Sequence, residues 1–446
     1  MSMLNIAISG LNASQIALNV ASNNIANVNT LGYSRQEAQF SSLYINSPNS
    51  NGLGVGVSGV RRIADQYLNA QLWRSSSASG FNSTNASYLN TIEQVVGSDA
   101  MRITSGLDNF FAALSSAAEA PESSAPRQEV ISSAQALAGR FNQLTVSLNG
   151  QSTQLSDELS TTVTQINSQL SVVAELNKKI SEMSAQGYNT AQLEDSRDQA
   201  VQELSGLVDI RSSKQSDGTL SLSLSQGQPL VIGSNTGTLT LTGSDLSVTY
   251  GTQTFPVKQA LQGSLGGLIS YRDNVLSPAL TELNSIAKKF ADEFNTQQAA
   301  GFDINTPRTV GKPLFTYDAS SPSLTIQIVS GFEPDDLAFG GASGGAPVGG
   351  TGDNTNLLAM LKLKDNHYDA YSELLGDLAV KSGQAKLDQT ASQQLQAEVK
   401  SKVNSVSGVN LDEEGVSIMQ YSKSYQANAK VITTANTLFD TVLGMF

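Results

Sequence analysis

The sequence has 446 residues, a net charge of −13 and only 15% charged residues, and this length predicts two to four domains. Without clustered Lys and Arg, the acidic chain argues against nucleic acid and against an anionic membrane surface as partners. It contains no cysteine, which excludes disulfides and thiolate metal sites.

The first residues carry a heptad pattern. Large apolar residues recur at every seventh position, namely Leu4, Leu11, Leu18 and Ile25. Smaller residues fill the second seam position, namely Ala7, Ser14, Ala21 and Val28. The pattern predicts a helix over about residues 4–28. The segment lacks the basic and continuously apolar regions of a Sec signal peptide, and no stretch approaches the roughly 18 apolar residues of a membrane span.

A polar break, "NNIANVNTLGYSRQ" (23–36), follows the heptads. Asn29 and Gly32 suit a left-handed helix stop, and Asn23, Asn24 and Asn27 are free to bond neighbouring helices. The alternating "GLGVGVSGVRRI" (52–63) then predicts a strand.

The middle of the chain changes from helical to β patterning and back. Residues 65–205 predict long helices with a turn at "APESSAP" (120–126), and residues 207–258 alternate with period two. One helix is expected over about 260–298. Residues 300–353 contain one clear strand and a Gly-rich run, and helix returns over about 355–407.

The C-terminus repeats the heptad pattern. Large residues lie seven apart at Ile418, Tyr425, Ile432, Phe439 and Phe446. Asn410 suits the N-cap and Glu413 a capping box, whereas Gly415 predicts a bend or a late helix start.

We therefore predict a mainly α fold with a β insertion and a discontinuous, multidomain architecture. In it, the paired terminal helices (1–30 and 410–446) form an inner, coiled-coil-like domain. A helical-bundle body comprises 31–206, 260–300 and 354–409, with a loop and strand segment at 31–63. The outer β module covers 207–259, and 301–353 is a Gly/Pro-rich segment with short strands.

Motifs for catalysis or cofactors are weak. "GVGVSG" (54–59) matches a dinucleotide fingerprint but lies in a predicted strand without a following helix. His367 is the only histidine and is expected to be solvated, and "SIAK" (285–288) lies in an amphipathic helix without companion motifs. Asp and Glu are numerous but form no convincing pair. We predict no catalytic, cofactor or metal site.

Both ends resemble one family, the bacterial flagellar axial proteins of rod, hook and hook-associated type. The resemblance rests on "GLNASQIALNVASNNIANVNTLGYSRQ" (10–36) and on residues 407–446, which include "TANTLFDTVL" (434–443). The interior segments "RQEVISSAQALAGRFNQL" and "LEDSRDQAVQELSGLVDI" are similar to the hook–filament junction group of that family. Leu31 departs from the family, which commonly has Pro there.

This resemblance implies a structural protein of the extracellular flagellum that is secreted by the flagellar type III export apparatus with an export chaperone. Its partners would be further copies of itself, the hook protein and a second junction protein. The implied assembly interface comprises Leu4, Leu11, Leu18, Ile25, Tyr33, Arg35, Ile418, Tyr425, Ile432 and Phe439. Three alternatives stay open: a hook, rod or flagellin-like subunit, a secreted wall hydrolase that uses carboxylates, and a binding module that captures a ligand on its β insertion.

Overall fold

The computed structural model describes residues 2–43, 53–99, 101–257, 261–318, 320–321, 323 and 325–445. The fold is mainly helical with a β insertion, which confirms the predicted class. The helices are α1 (Ser2–Ala26), α2 (Gln66–Val96), α3 (Ile103–Glu119), α4 (Ser124–Ala185), α5 (Ala191–Leu207), α6 (Gly263–Tyr271), α7 (Ser277–Ala299), α8 (Thr355–Leu361), α9 (Lys364–Ser407) and α10 (Leu411–Leu443).

Every strand pairing in the described residues is antiparallel. One hairpin joins β1 (Gln36–Leu43) and β2 (Gly54–Arg62). The insertion contains a four-stranded sheet of β3 (Ile210–Lys214), β4 (Leu220–Leu224), β5 (Pro229–Ile232) and β6 (Asn235–Thr236). It also contains a three-stranded sheet of β7 (Thr238–Thr242), β8 (Asp245–Tyr250) and β9 (Gln253–Val257).

Two further strand pairs lie in residues 300–353, for which the sequence predicts short strands and one clear strand among them. They are β10 (Phe315–Tyr317) with β11 (Ile326–Ile328), and β12 (Ala342–Ser343) with β13 (Ala346–Pro347). These strands have only two or three residues each, which is too short for a period-two pattern to stand out in the sequence.

The chain divides into two compact units. The first comprises residues 1–80, 162–265 and 391–446, and the second comprises 81–161 and 266–390. The core of the second unit is aromatic: Phe110 lies 5.2 Å from Phe294 and Phe290 lies 5.1 Å from Phe315, centroid to centroid, in edge-on or tilted geometry. Each such pair stabilises the fold by about 0.5–1.5 kcal/mol beyond the free energy gained by burying the rings.

The helix expected over about 260–298 is interrupted. A π-helical turn, Arg272–Leu276, separates α6 from α7, and Pro278 lies in the first turn of α7. Proline has no N–H with which to bond the carbonyl four residues earlier, which here belongs to Asn274. Lys381 Nζ donates to that carbonyl oxygen at 3.3 Å, so a side chain supplies the bond that the helix backbone lacks.

Asparagine side chains on helices pair with the backbone of strands. In each pair Nδ2 donates to a strand carbonyl and Oδ1 accepts the N–H of the same strand residue, both at 2.7–3.1 Å. We call these contacts asparagine–strand pairs; they join Asn142 to Ile326, Asn167 to Leu239, Asn177 to Leu220, and Asn295 to Phe315. Each satisfies both hydrogen-bonding groups of one strand residue.

Replacing Asn177 by Ala should destabilise the chain. Asn177 is fully buried, so its removal leaves the N–H and C=O of Leu220 without partners, at a cost of about 1–3 kcal/mol for each such group. The matched control is Gln165→Ala on the exposed face of the same helix, which should cost less than about 0.5 kcal/mol. Denaturant unfolding measures both changes, and equal losses would contradict the role of the pair.

His367 corrects the expectation of a solvated histidine. Its side chain is buried, its ring lies edge-on to Phe290 at 5.2 Å, and Nε2 lies 3.2 Å from Oε2 of Glu293. Burial lowers the pKa of His367 below its ordinary value of 6.5, and the nearby Glu293 carboxylate opposes that shift. Lys289 also lies close enough to lower the pKa. The hydrophobic surroundings, contributed by a distant helix, could not be read from "DNHYD".

The pKa shift of His367 predicts a loss of stability in acid. Because the pKa is lower in the folded state, the unfolded chain binds more protons as the pH falls through 6.5. The unfolding temperature of the wild-type protein should therefore fall in that window relative to His367→Gln, which cannot titrate. If acid stabilised the wild type relative to the variant, the attraction to Glu293 would outweigh burial.

Candidate assembly interface

The two terminal helices pair with each other and run antiparallel. Gly10 of α1 lies against Asn428 of α10, whereas Ala17 and Ala21 line a cavity together with Ser417 and Tyr421. A Cβ atom at position 10 would meet the Asn428 side chain at 2.7 Å, so a larger residue would push that side chain aside. The α1 positions that become buried hold small residues, among them Ala7, Ala13, Ser14, Ala17 and Ala21.

The large seam residues are only partly covered in the isolated chain. Half-buried positions are Leu4, Leu11, Leu18, Ile25, Ile418 and Ile432. Tyr425 is 36% exposed and Phe439 is 65% exposed, and Phe446 lies outside the described residues. Further exposed apolar residues on the same two helices are Met3, Ile6, Ile8, Ile16, Val416, Met419, Val431, Leu438, Val442 and Leu443. An apolar surface of this kind marks a site of protein–protein contact.

The connection after α1 is anchored by Asn24, which corrects the expectation that its side chain is free to bond other helices. Asn24 is buried; Nδ2 donates to the carbonyl oxygen of Gln36 at 2.9 Å, and Oδ1 accepts the Gln36 N–H at 3.0 Å. This is a fifth asparagine–strand pair. The Tyr33 hydroxyl also donates to Oδ1, at 2.8 Å. Burial, with Asp195 and Glu414 nearby, raises the pKa of Tyr33 to about 12, so Tyr33 remains a donor at neutral pH.

The turn itself has one left-handed residue. Gly32 has φ +79°, whereas no non-glycine residue in the described part of the chain has positive φ, so the left-handed conformation expected at Asn29 is absent. Leu31, next to Gly32, is 73% exposed. Asn27 Nδ2 instead donates to the carbonyl oxygen of Asn23 at 2.9 Å, which closes the end of the helix locally.

An ion-pair cluster fixes the hairpin to α5. Arg62 of β2 contacts Asp195 at 2.9 Å and Asp198 at 2.6 Å, and Asp195 also accepts the Ser34 N–H at 3.1 Å. Burial raises the pKa of Asp195, while the contacts with Ser34 and Arg62 oppose that shift. Arg62 has both carboxylates as partners, so its charge is compensated where it is desolvated. Sequence analysis missed this cluster, although "EDSRD" (194–198) supplies its acids.

Arg35 connects the two ends of the chain. Its N–H donates to the carbonyl oxygen of Ser407 at 2.8 Å, its own carbonyl accepts from Ile63 N–H at 2.8 Å, and its guanidinium pairs with Glu413. The predicted N-cap is present, since Asn410 accepts the Asp412 N–H at 3.0 Å. Glu413 thus binds Arg35 instead of closing a capping box. The helix begins at Leu411, so Gly415 does not delay its start.

No helix in the described part of the chain is long and apolar enough to cross a membrane. No group of three or more His, Cys, Asp or Glu side chains there is arranged to hold a metal ion.

Comparison with known proteins matches three parts of the chain to family descriptions. Residues 89–315, just over half of the chain, match "Flagellar hook-associated protein FlgK helical domain". Residues 4–33 match "Flagella basal body rod protein", and residues 400–445 match "Flagellar basal body rod FlgEFG protein C-terminal".

Several relatives that match over nearly their whole length share one name. Flagellar hook-associated protein 1 of Salmonella typhimurium is 29% identical, with 100% of both chains covered. The protein of the same name from Escherichia coli is 28% identical with the same coverage, and that from Bacillus subtilis is 27% identical over 97% of this chain and 96% of the relative. The solved flagellar hook junction protein FlgK from Burkholderia pseudomallei has the same fold, with a TM-score of 0.66, 19% identity and coverage of 77% of this chain and 100% of that one.

Replacing Asn24 by Ala should loosen the connection after α1. The Gln36 N–H and C=O would lose their partner, which should lower the free energy of local opening by about 1.4 kcal/mol or more. The Gln36 amide should therefore exchange with solvent at least about tenfold faster. Asn12→Ala, on the exposed face of the same helix, is the control. Hydrogen exchange read by mass spectrometry or NMR measures both, and unchanged protection at Gln36 would contradict this account.

Proposed function

The chain belongs to the flagellar hook-associated protein FlgK family, and on that premise we propose that it is the structural subunit of the junction between hook and filament in the bacterial flagellum. The full-length similarity to proteins named flagellar hook-associated protein 1 supports this role. The observation that carries the proposal is the apolar surface that α1 and α10 leave exposed after pairing with each other.

Assembly proceeds by mutual burial of the terminal helices of neighbouring copies. The interface residues are Leu4, Leu11, Leu18, Ile25, Tyr33, Arg35, Ile418, Tyr425, Ile432 and Phe439. Fully burying one large apolar side chain contributes about 1.5–3 kcal/mol. Tyr33 and Arg35 act at the connection, where they hold the helix pair to the rest of the chain. In a tubular lattice these helices form the inner layer.

The partners follow from the position of a junction subunit. It contacts further copies of itself, the hook protein on one side and a second junction protein on the other. It reaches the extracellular flagellum through the flagellar type III export apparatus, with an export chaperone. Its role is mechanical and not enzymatic; its relatives bear the names of structural flagellar proteins.

Alternative subunit types differ in how they polymerise. A hook, rod or flagellin-like subunit would form long homopolymers when purified, whereas a junction subunit forms a short zone that depends on a hook end. Peptidoglycan turnover by the purified protein would instead indicate a wall hydrolase.

Replacing Phe439 by Ser should abolish filament attachment without unfolding the monomer. Phe439 is 65% exposed in the single chain, so its loss costs the monomer little, whereas neighbouring copies would lose a buried aromatic contact. Tyr188→Ser removes an aromatic residue of similar exposure, 62%, from the turn between α4 and α5. In a deletion strain, electron microscopy should show hooks without filaments for Phe439→Ser and normal filaments for Tyr188→Ser. Normal attachment with Phe439→Ser would contradict the proposed interface.

A further inference from the structure

The face of α1 that lies against α10 consists of small residues. They follow one another at intervals of three and four residues, as the contact face of a paired helix does, and they are Ala7, Gly10, Ser14, Ala17 and Ala21. Large apolar knobs fix the rotation and the axial position of a paired helix by fitting into holes between facing side chains. A face of Ala and Ser offers no such knobs, so it fits nearly as well after a shift of seven residues.

Gly10 interrupts this face with a notch that the Asn428 side chain fills. A Cβ atom at position 10 would lie 2.7 Å from Oδ1, 2.8 Å from Nδ2 and 2.9 Å from Cγ of Asn428. The whole carboxamide therefore occupies the space that a side chain at position 10 would need. We call this contact of Gly10 with Asn428 the glycine notch.

The Asn428 carboxamide is held by its own helix. Its Nδ2 donates to the carbonyl oxygen of Ser424 at 2.9 Å. On the facing helix, the buried Ser14 hydroxyl donates to the carbonyl oxygen of Gly10 at 2.8 Å. A side chain that pushed the carboxamide out of the notch would have to disturb the bond to Ser424, so the fit is specific although Asn428 is a flexible residue.

The glycine notch lies far from the polar contacts that hold the other end of the pair. The Asn24–Gln36 and Arg35–Glu413 contacts act where α1 ends and α10 begins. Gly10 precedes Asn24 by fourteen residues, or about 21 Å along the axis at 1.5 Å per residue. In the described parts of α1 and α10, no hydrogen bond or ion pair joins one helix to the other. The distant half of the pair is therefore positioned by side-chain shape.

We propose that Gly10 and Asn428 are positioning residues for assembly. The carboxamide in the notch fixes the rotation and register of α1 against α10, and thereby fixes which large apolar side chains the pair presents to neighbouring copies. A single polar Asn at a helix contact sets the register of coiled coils in the same way. A shift of seven residues would place Met3 or Ala17 at Asn428, and their Cβ atoms would occupy the space of the carboxamide. This inference rests on the proposed function, because register matters only where copies pack through these helices.

Exchanging the two residues tests the fit. Facing positions of an antiparallel pair are related by a local two-fold axis, so Gly10→Asn with Asn428→Gly recreates the contact from the other side. Gly10→Asn alone places two carboxamides in one space and should raise the concentration for half-maximal attachment to isolated hooks about tenfold, or about 1.4 kcal/mol. Adding Asn428→Gly should restore attachment to within about threefold of the wild type. Glycine weakens a helix by itself, so a further loss in the double variant would overturn the proposal.

Gly415 supplies the matched control. It lies in α10, and a Cβ atom there would meet nothing within 4 Å. Gly415→Asn makes the same chemical change in the same helix pair without filling a notch, so it should leave attachment unchanged. A loss equal to that of Gly10→Asn would overturn the proposal.

Spin labels report the register directly, because the chain has no cysteine of its own. Asn5→Cys and Lys430→Cys are exposed positions on the two helices, beyond the notch. The labelled chain is bound to isolated hooks and diluted with unlabelled chain, so that distances within one copy dominate. Pulsed electron paramagnetic resonance should give one narrow distance. Gly10→Asn should broaden it or shift it by up to about 10 Å, the length of seven helical residues, and the exchange variant should restore it. An unchanged distance with Gly10→Asn would overturn the proposal.

The two levels of inference can fail separately. If the wild-type chain does not restore filaments to a deletion strain, the junction function is wrong. If it restores them and the exchange variant attaches no better than Gly10→Asn, only the positioning role of the glycine notch is wrong.

Discussion

The pairing of asparagine side chains with strand backbone is the interaction on which much of this structure depends. The strands are short and their sheets small, so many backbone groups face helices and not other strands. A carboxamide presents one donor and one acceptor at the spacing of a peptide group, and can therefore replace a neighbouring strand for one residue. Asn167 and Asn177 connect α4 to the β insertion in this way, and Asn24 does so after α1. Helix side chains thereby satisfy strand backbone groups and hold the helix and the strand together.

The terminal helices divide their residues between two tasks. Small residues of α1, such as Ala17 and Ala21, are buried within the chain and allow close packing. Large residues such as Phe439 and Leu438 remain exposed. A pair built in this way gains little stability alone, because the side chains with most apolar area are those left in water. Its stability increases only when another helix covers them, which couples ordering of the ends to assembly.

The sequence predicted the regular parts of the fold and not the contacts between them. Heptads placed both terminal helices, and alternating residues placed β2, because these patterns are local. The resemblance at the two ends named the family. The environment of His367 was not predictable, since Phe290 and Glu293 come from another helix. The partners of Arg62 and Asn24 were missed for the same reason: a polar residue near a helix end has many possible partners, and only the tertiary fold selects one.

The separation of charged and apolar surfaces has a physical consequence for assembly. The connection after α1 concentrates ion pairs, Arg62 with Asp195 and Asp198, and Arg35 with Glu413. All of these groups belong to one chain and are compensated before assembly begins. The α1 helix, by contrast, carries no charge, so many copies can pack side by side without repulsion between like charges. Direction within the layer must then come from shape and from the few charges of α10, because an uncharged apolar face alone specifies neither register nor orientation.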